Sequence, residues 1–537
     1  MLNFIRPLAI ALAAVLLVAC GSSNSQSSQT ATVSTSTAPG TLAVNPPLRI
    51  ASLNAATLQS QIAATGTTGE QLLEITGNPL CGVDFYYLKF WTVGGAGETT
   101  ESSGALMVPT GAAPNCSGLR PVVEYAHGPE ANQAFNIADI TNPSNTEGAL
   151  IAAMFAAQGY IVVAPNYAGY DISTLGYHPF IDAAQQSGEM MNILTAARTA
   201  LPNLMSPTSD NGQLFLTGYS EGGHVAMATQ RAMQAAGDKV TAAAPMSGPY
   251  AVEAFGDVVF FGGVNLGSTQ FAPLLANSYQ HAYGNVNIAT NPMFSTFYPD
   301  AETLLPSVTP IDTIFAEGML PETALFDSAT PVVDIPGEAA LSAELTALLA
   351  VPPTPALPLS AQTPLFQLGF ASPYLINNDF RVSYAEDAAT NPDGAVPTPT
   401  PGVGVAKVEP TFGLRQDFYV NDLRNGAWAP MEPTLLCGGD QDPTVYFSVN
   451  TETMAAFWSA LPAGLVTVLD VNATPAGPFA QLQTAFQDSQ AALLAYYQTA
   501  AGGGLSPAAA QEKVTEGYHM AVAPFCAAGA RAFFSQF

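Results

Sequence analysis

Apolar residues along this chain recur in two rhythms. Short runs rich in valine, leucine, isoleucine and aromatic side chains occupy 85–93, 104–109, 121–126, 160–164, 213–217 and 240–246, and each reads as a buried strand. Between them, 148–158, 183–201 and 222–236 repeat apolar positions at helical spacing. Strand and helix in alternation predict an α/β fold, with a mostly parallel central sheet and helices on both faces. The alternation stops after Met246, returns at 433–437 and 465–471, and gives way to helical stretches up to the C-terminus. The roughly 180 residues between read as an inserted cap, because a single core stops growing near roughly 250 to 300 residues. The cap holds Pro-rich links at 351–364 and 391–403 and a helix-like 337–350. The expected organisation is a first core part over 46–250, a cap or lid over 251–430 and a second core part over 431–537. No repeat of blade or solenoid period is present.

The first twenty residues follow neither rhythm. They carry one cation, Arg6, and then an unbroken apolar run over 8–19, too short to span a bilayer and laid out like an export signal. The run ends at Leu17-Val18-Ala19-Cys20, which resembles the lipobox of bacterial lipoproteins. That resemblance implies lipidation at Cys20 and attachment to the cell envelope, and Gly21 in place of Asp points to the outer membrane. An ordinary cleaved signal with an incidental cysteine is the competing reading. Residues 21–45 are mostly small and polar with no apolar period, so they are expected to be a disordered tether.

Charge narrows the partners. With 13 basic against 41 acidic residues the formal charge is −28, which repels phosphate backbones and anionic headgroups. Nucleic acid is therefore not expected, and membrane attachment would rest on the lipid alone. Only 10% of residues are charged while 48% are hydrophobic, which predicts a large core under a surface of amides, hydroxyls and small residues. The H-E-x-x-H, C-x-x-C and Rossmann glycine patterns are absent from the sequence, so neither metal nor organic cofactor is expected.

Candidate chemistry begins where the run 213–217 meets Gly218-Tyr219-Ser220-Glu221-Gly222-Gly223 and then a small-residue helix. Strand, G-x-S-x-G and helix in that order make a nucleophile elbow, with glycines where the two backbones approach. Ser220 is the candidate nucleophile. Its base must come later in the chain, after the acid. Of the five histidines, His127 and His178 precede the elbow, His224 lies on the packed helix and His281 falls in the insertion. His519 remains, in the Gly-containing stretch Glu516-Gly517-Tyr518-His519-Met520, read as a mobile loop before an apolar helix. The acid should follow the first strand after the insertion, in Gly438-Gly439-Asp440-Gln441-Asp442-Pro443-Thr444-Val445. This stretch resembles the G-x-x-D-x-x-V loop of α/β-hydrolases and selects Asp442, with Asp440 as a competitor.

Tyr125-Ala126-His127-Gly128-Pro129 resembles the His-Gly turn of the same enzymes, whose backbone supplies one oxyanion donor while the residue after the serine, Glu221, supplies the other. Pro129 has no N–H, so the donor in the turn is His127, Gly128 or, less favoured, Glu130, and the His127 ring reads as structural. Together with Ala164-Pro165-Asn166-Tyr167-Ala168-Gly169, His178-Pro179-Phe180 and Gly218 to His224, these stretches resemble the secretory lipase family of α/β-hydrolases, the group containing yeast lipase A. The resemblance covers 75–250 and 431–537. It implies the α/β-hydrolase fold, a Ser220, His519, Asp442 triad and a lid-bearing cap over an acyl pocket, with a small-molecule, lipid or polymer ester as substrate. Asn166 stands where that family often has Asp. A peptidase of the same fold and a non-catalytic lipoprotein binding an apolar ligand are the alternatives.

Cys20 apart, four cysteines remain in a chain expected to be exported, where disulfides persist. Four thiols allow three pairings. If Asp442 and His519 meet, Cys437 and Cys526 come within reach of each other, which leaves Cys81 for Cys116.

Overall fold

The computed structural model describes residues 31–64, 66–140, 142, 145–329, 363–393, 409–499 and 504–537. The export segment with Cys20, residues 21–30 of the expected tether, the helix-like 337–350 and most of both Pro-rich links lie outside these residues.

Nine strands form one sheet: β1 (Leu48–Leu53), β2 (Gly82–Val93), β3 (Thr99–Thr110), β4 (Gly118–Ala126), β5 (Ile161–Pro165), β6 (Thr208–Tyr219), β7 (Ala242–Met246), β8 (Thr434–Gly438) and β9 (Val466–Asp470). Across the sheet they run β9-β8-β7-β6-β4-β5-β3-β2-β1. β4 to β9 pair in parallel, and β1 to β3 form an antiparallel flank that joins through β3 against β5. Each strand expected from the apolar runs is present, and β1 is an addition. β2 and β3 extend beyond their apolar runs because their ladder continues in register from Gly82↔Thr110 to Val93↔Thr99. Backbone pairing thus holds polar Thr99 to Ser103 in the strand.

Successive residues of β4 show how the sheet is buried on both sides, as a mostly parallel sheet requires. Val122 joins an apolar layer with Leu88, Ile161, Leu216 and Ile193, and Val123 joins the opposite layer with Phe85, Met107, Phe215 and Val522. Helices α1 (Thr146–Met154) and α4 (Tyr518–Phe534) cover the second face, and α2 (Ala183–Ala200) contributes to the first, while α3 (Glu221–Ala236) follows β6 directly. α2 starts where expected because the Asp182 side chain accepts the Gln185 N–H at 3.0 Å, satisfying an otherwise orphan helix donor.

Between β7 and β8 the described residues form helices, including Val252–Phe260, Ser268–Ala282, Asn378–Thr390 and Gly413–Asn421, and no strand. They enclose a core of their own. Phe260, Leu320 and Phe326 are buried in it with Phe380, Tyr384 and Phe418. Phe366 is buried with Tyr446, whereas Met319 is 42% exposed. Arg415 is fully buried and binds Glu253 at 3.1 Å, Asp257 at 3.0 Å and Asp387 at 2.8 Å. Arg424, also fully buried, binds Asp422 at 2.5 Å and Asp393 at 2.9 Å.

The expected tether needs correction. Thr32–Val33 pairs with Val44–Asn45, and Leu42 and Ala43 are buried. Residues 32–45 therefore fold onto the sheet. Two apolar side chains and backbone bonds to β2, among them Ala43 N–H to Lys89 O at 2.7 Å, offset an ordering cost that composition alone left unmet.

Candidate active site

Ser220 sits at the turn from β6 into α3 with φ 61° and ψ −121°, a strained conformation of the kind concentrated at functional sites. The flanking glycines are explained by distance. A Cβ on Gly222 would stand 1.9 Å from Ala126 O, and one on Gly218 2.3 Å from Gly222 O. The Ser220 N–H is tied to Met246 O of β7 at 3.0 Å, which fixes the elbow against the sheet.

The structure brings His519 to Asp442. Nδ1 of His519 lies 2.6 Å from Asp442 Oδ2, and Asp442 Oδ1 accepts the N–H groups of Thr444 at 2.9 Å and Val445 at 3.0 Å. That carboxylate is held by three donors. Asp440 faces elsewhere: its Oδ1 accepts from Asn472 at 2.7 Å, beside Asp470, whose carboxyl burial pushes up to about 6. His519 is not in a loop but in the first turn of α4. Gly517 has φ −84° and ψ −1°, a right-handed conformation that lets Pro507–Glu516 abut α4 instead of opening a loop. The Tyr219 hydroxyl donates to His519 O, linking the elbow to the backbone of the histidine. Nε2 of His519 is buried without a hydrogen-bond partner among the described residues.

The cysteines pair as Cys81 with Cys116 and Cys437 with Cys526, with Cα separations of 5.3 and 5.6 Å. The second bond joins β8 to α4, the elements that lead into Asp442 and carry His519.

Of the expected oxyanion residues, the His127 ring is built into its surroundings. Its Nδ1 is 2.6 Å from Gly128 O and its Nε2 3.1 Å from Asn166 O. The ring lies against Tyr167 and Phe135 at 4.2 and 4.6 Å, and burial holds its pKa down at about 4. The Gly128 N–H is engaged by the Glu147 carboxylate at 3.2 and 3.3 Å. Glu221 begins α3, and its side chain turns inward, where Oε1 meets His178 Nε2 at 2.7 Å and Gln186 Nε2 at 2.6 Å. His178 Nδ1 in turn faces Ala168 O at 3.0 Å. Asn166 donates to Ser103 Oγ at 2.8 Å and accepts the Ile137 N–H at 2.7 Å, a double role that an ionised Asp cannot fill.

Three acids converge in the cap, Glu253, Asp393 and Asp422. Arg415 and Arg424 bind all three, so the group is matched by guanidinium charge. Sequence reasoning did not single out Glu147, Tyr219 or the His178 to Glu221 pair. Only Tyr219 carried a signal, as the variable residue inside the elbow motif.

The sheet order, the elbow after β6 and the acid loop after β8 define an α/β-hydrolase fold. No family model and no curated protein matches the sequence. Among solved structures the chain is similar to the rice cell wall degrading esterase LipA from Xanthomonas oryzae, with 24% identity over 81% of this chain and 91% of that one and a TM-score of 0.58. It is also similar to a Legionella pneumophila protein provisionally described as a hydrolase, with 16% identity over 91% and 96% and a TM-score of 0.53. Candida antarctica lipase A aligns at 14% identity over 81% and 76%, with a TM-score of 0.38. Among the described residues no helix is long and apolar enough to cross a membrane.

Proposed function

We propose that this protein is a serine hydrolase that cleaves carboxylic esters. The observation that carries the reading is the 2.6 Å contact of His519 Nδ1 with a triply bonded Asp442, adjoining an elbow serine of positive φ. In this reading Ser220 Oγ attacks the ester carbonyl and His519 Nε2 takes its proton. Asp442 holds the imidazole with Nδ1 as donor and stabilises the imidazolium that forms. The Glu221 N–H, at the positive end of α3, and an N–H of the 127–130 turn receive the oxyanion. Collapse expels the alcohol, protonated by His519, and water then releases the acid from Ser220 by the same path. The Ser220 and His519 side chains are not hydrogen-bonded to each other, and contacts of this kind commonly tighten when substrate binds. The likeness in fold to an esterase supports the chemistry. The substrate is a small-molecule, lipid or polymer ester. We further propose that Cys20 is the lipid-modified residue tethering the exported protein to the bacterial envelope, and the two disulfides accord with an oxidising compartment.

The test is Ser220→Ala assayed on p-nitrophenyl esters of graded acyl length, with fluorophosphonate labelling of the parent. Hydrolysis should fall by about three orders of magnitude or more with the fold intact. Activity within about tenfold of the parent would refute the assignment. A parent that takes up no fluorophosphonate would favour the ligand-binding alternative, and faster turnover of matched amides would favour a peptidase.

A further inference from the structure

One carboxyl group beside the nucleophile has no task in the mechanism above. Glu147, in the first turn of α1, accepts the Tyr125 hydroxyl at 2.6 Å and the Gly128 N–H at 3.2 and 3.3 Å. A Cβ placed on Gly128 would be 3.6 Å from Glu147 Oε2 and 3.8 Å from Ser220 Cβ. The carboxylate and the nucleophile therefore flank the same residue. The start of α1 is itself fixed: Asn145 accepts the Gly148 N–H at 2.9 Å and donates to the carbonyls of Asn136, Ile137 and Asp139 at 3.0 to 3.1 Å. On the other side of the turn, the hydroxyls of Tyr167 and Tyr170 bind the carbonyls of His127 at 3.1 Å and Glu130 at 2.5 Å. With Gly128 engaged and Pro129 lacking a donor, the Glu130 N–H has no hydrogen-bond partner among the described residues.

We propose that Glu147 is a positioning residue for ester hydrolysis, one that ties back the Gly128 N–H and so sets the 127–130 turn with the Glu130 N–H free to meet the oxyanion beside that of Glu221. The inference rests on the ester hydrolase reading. It reverses the order of preference that the sequence suggested for the turn, in which Glu130 ranked last. The titratable groups facing Glu147 are Tyr125 of β4, Glu130 of the turn, Tyr167 after β5, Glu221 of α3 and His519 of α4. Burial pushes its carboxyl up to about 7, against the pull of the Tyr125 and Gly128 bonds. The opposite role has a distinct signature. If the Gly128 N–H were the oxyanion donor, the carboxylate would compete with the transition state and its removal would raise activity.

The experiment compares the parent with Glu147→Ala, Glu147→Gln and Tyr125→Phe. It measures kcat and KM on a p-nitrophenyl ester, inhibition by an alkyl boronic acid that mimics the tetrahedral intermediate, and thermal unfolding. Active sites are counted by fluorophosphonate. Loss of a well-set oxyanion turn should lower kcat per labelled site about ten- to a hundredfold in Glu147→Ala, with KM within about twofold and boronate affinity falling in parallel. Glu147→Gln should recover part of kcat, since its carbonyl oxygen can stand in for Oε1, which accepts both the Tyr125 hydroxyl and the Gly128 N–H, while the second contact with Gly128 through Oε2 is lost. Tyr125→Phe should show a smaller fall of the same kind, and serves if the Glu147 variants fold poorly. An unchanged or raised kcat, or a change confined to KM or to melting temperature, overturns the proposal. A parent that neither labels nor hydrolyses any ester overturns the hydrolase reading, and this inference with it.

Discussion

The disulfide between Cys437 and Cys526 makes a quantitative prediction that separates stability from catalysis. It closes a loop of 89 residues, against 35 for Cys81 with Cys116. The chain-entropy relation assigns about 4 to 5 kcal/mol to the longer loop and about 4 kcal/mol to the shorter, before any strain. Cys437→Ala with Cys526→Ala and Cys81→Ala with Cys116→Ala should thus destabilise the protein to a similar degree. Their effects on rate should differ. Asp442 lies five residues after Cys437 and His519 seven before Cys526, and their 2.6 Å contact depends on how α4 is set against β8. The Cys81 to Cys116 bond lies beside the starts of β2 and β4, where no candidate catalytic residue stands. The assay is urea unfolding followed by tryptophan emission, with kcat per fluorophosphonate-labelled site measured below the unfolding range. The longer-loop variant should lose about tenfold or more in kcat, equivalent to at least about 1.4 kcal/mol of transition-state stabilisation. The shorter-loop variant should keep its kcat. Equal kcat in the two variants, or a loss of stability under about 1 kcal/mol for the longer loop, would refute the argument.

Other expectations concern the acid, the cap, the buried carboxyl groups and the proposed lipid anchor. Asp442→Asn should reduce ester turnover far more than Asp440→Asn, because an amide can hold the His519 imidazole in the wrong tautomer whereas Asp440 binds Asn472; steady-state rates of the two variants decide it. Arg415→Met should destabilise the cap by about 3 to 5 kcal/mol, the cost of leaving buried carboxylates unpaired, read as a lowered unfolding midpoint. Glu130 and Glu147 have folded pKa values raised to about 8 and about 7, so the folded state holds protons that the unfolded chain has already released above about pH 4.5. Stability should therefore fall as pH rises from about 5 to about 8, by up to about 1.4 kcal/mol per pH unit for each such proton, and melting temperatures across that range should show a flatter slope for Glu147→Gln. Cys20→Ser should move the protein from the membrane fraction to the soluble fraction on ultracentrifugation.

Much of the core was legible because its cues are local. The parallel strands carry their apolar residues in continuous runs, and the elbow packs strand, turn and helix into consecutive residues. β1 was missed because Leu48–Leu53 is an edge strand with four of its six residues exposed, which leaves no buried run to read. The helical setting of His519 was missed because glycine ordinarily ends helices, while Gly517 here keeps a right-handed conformation. Glu147 looked like an ordinary acidic residue of a helix start, favourable to the dipole. Its contact with Gly128 spans 19 residues. The Arg415 cluster joins positions up to 162 residues apart, and no spacing rule reaches across that distance.

The folded-back segment before β1 has a consequence for where the domain begins. β1 pairs with β2 only from Val83 to Tyr87. Beyond that, the rim of β2 is covered by residues 40–43, through Gly40 N–H to Trp91 O at 2.8 Å, Trp91 N–H to Thr41 O at 3.0 Å and Ala43 N–H to Lys89 O at 2.7 Å. A chain shortened to start at residue 46, the boundary suggested by composition, would leave those backbone groups open along a strand that contains Phe90 and Trp91. Open edges of that kind recruit strands from other molecules. The shortened protein should scatter light increasingly with concentration, and one starting at residue 32 should not.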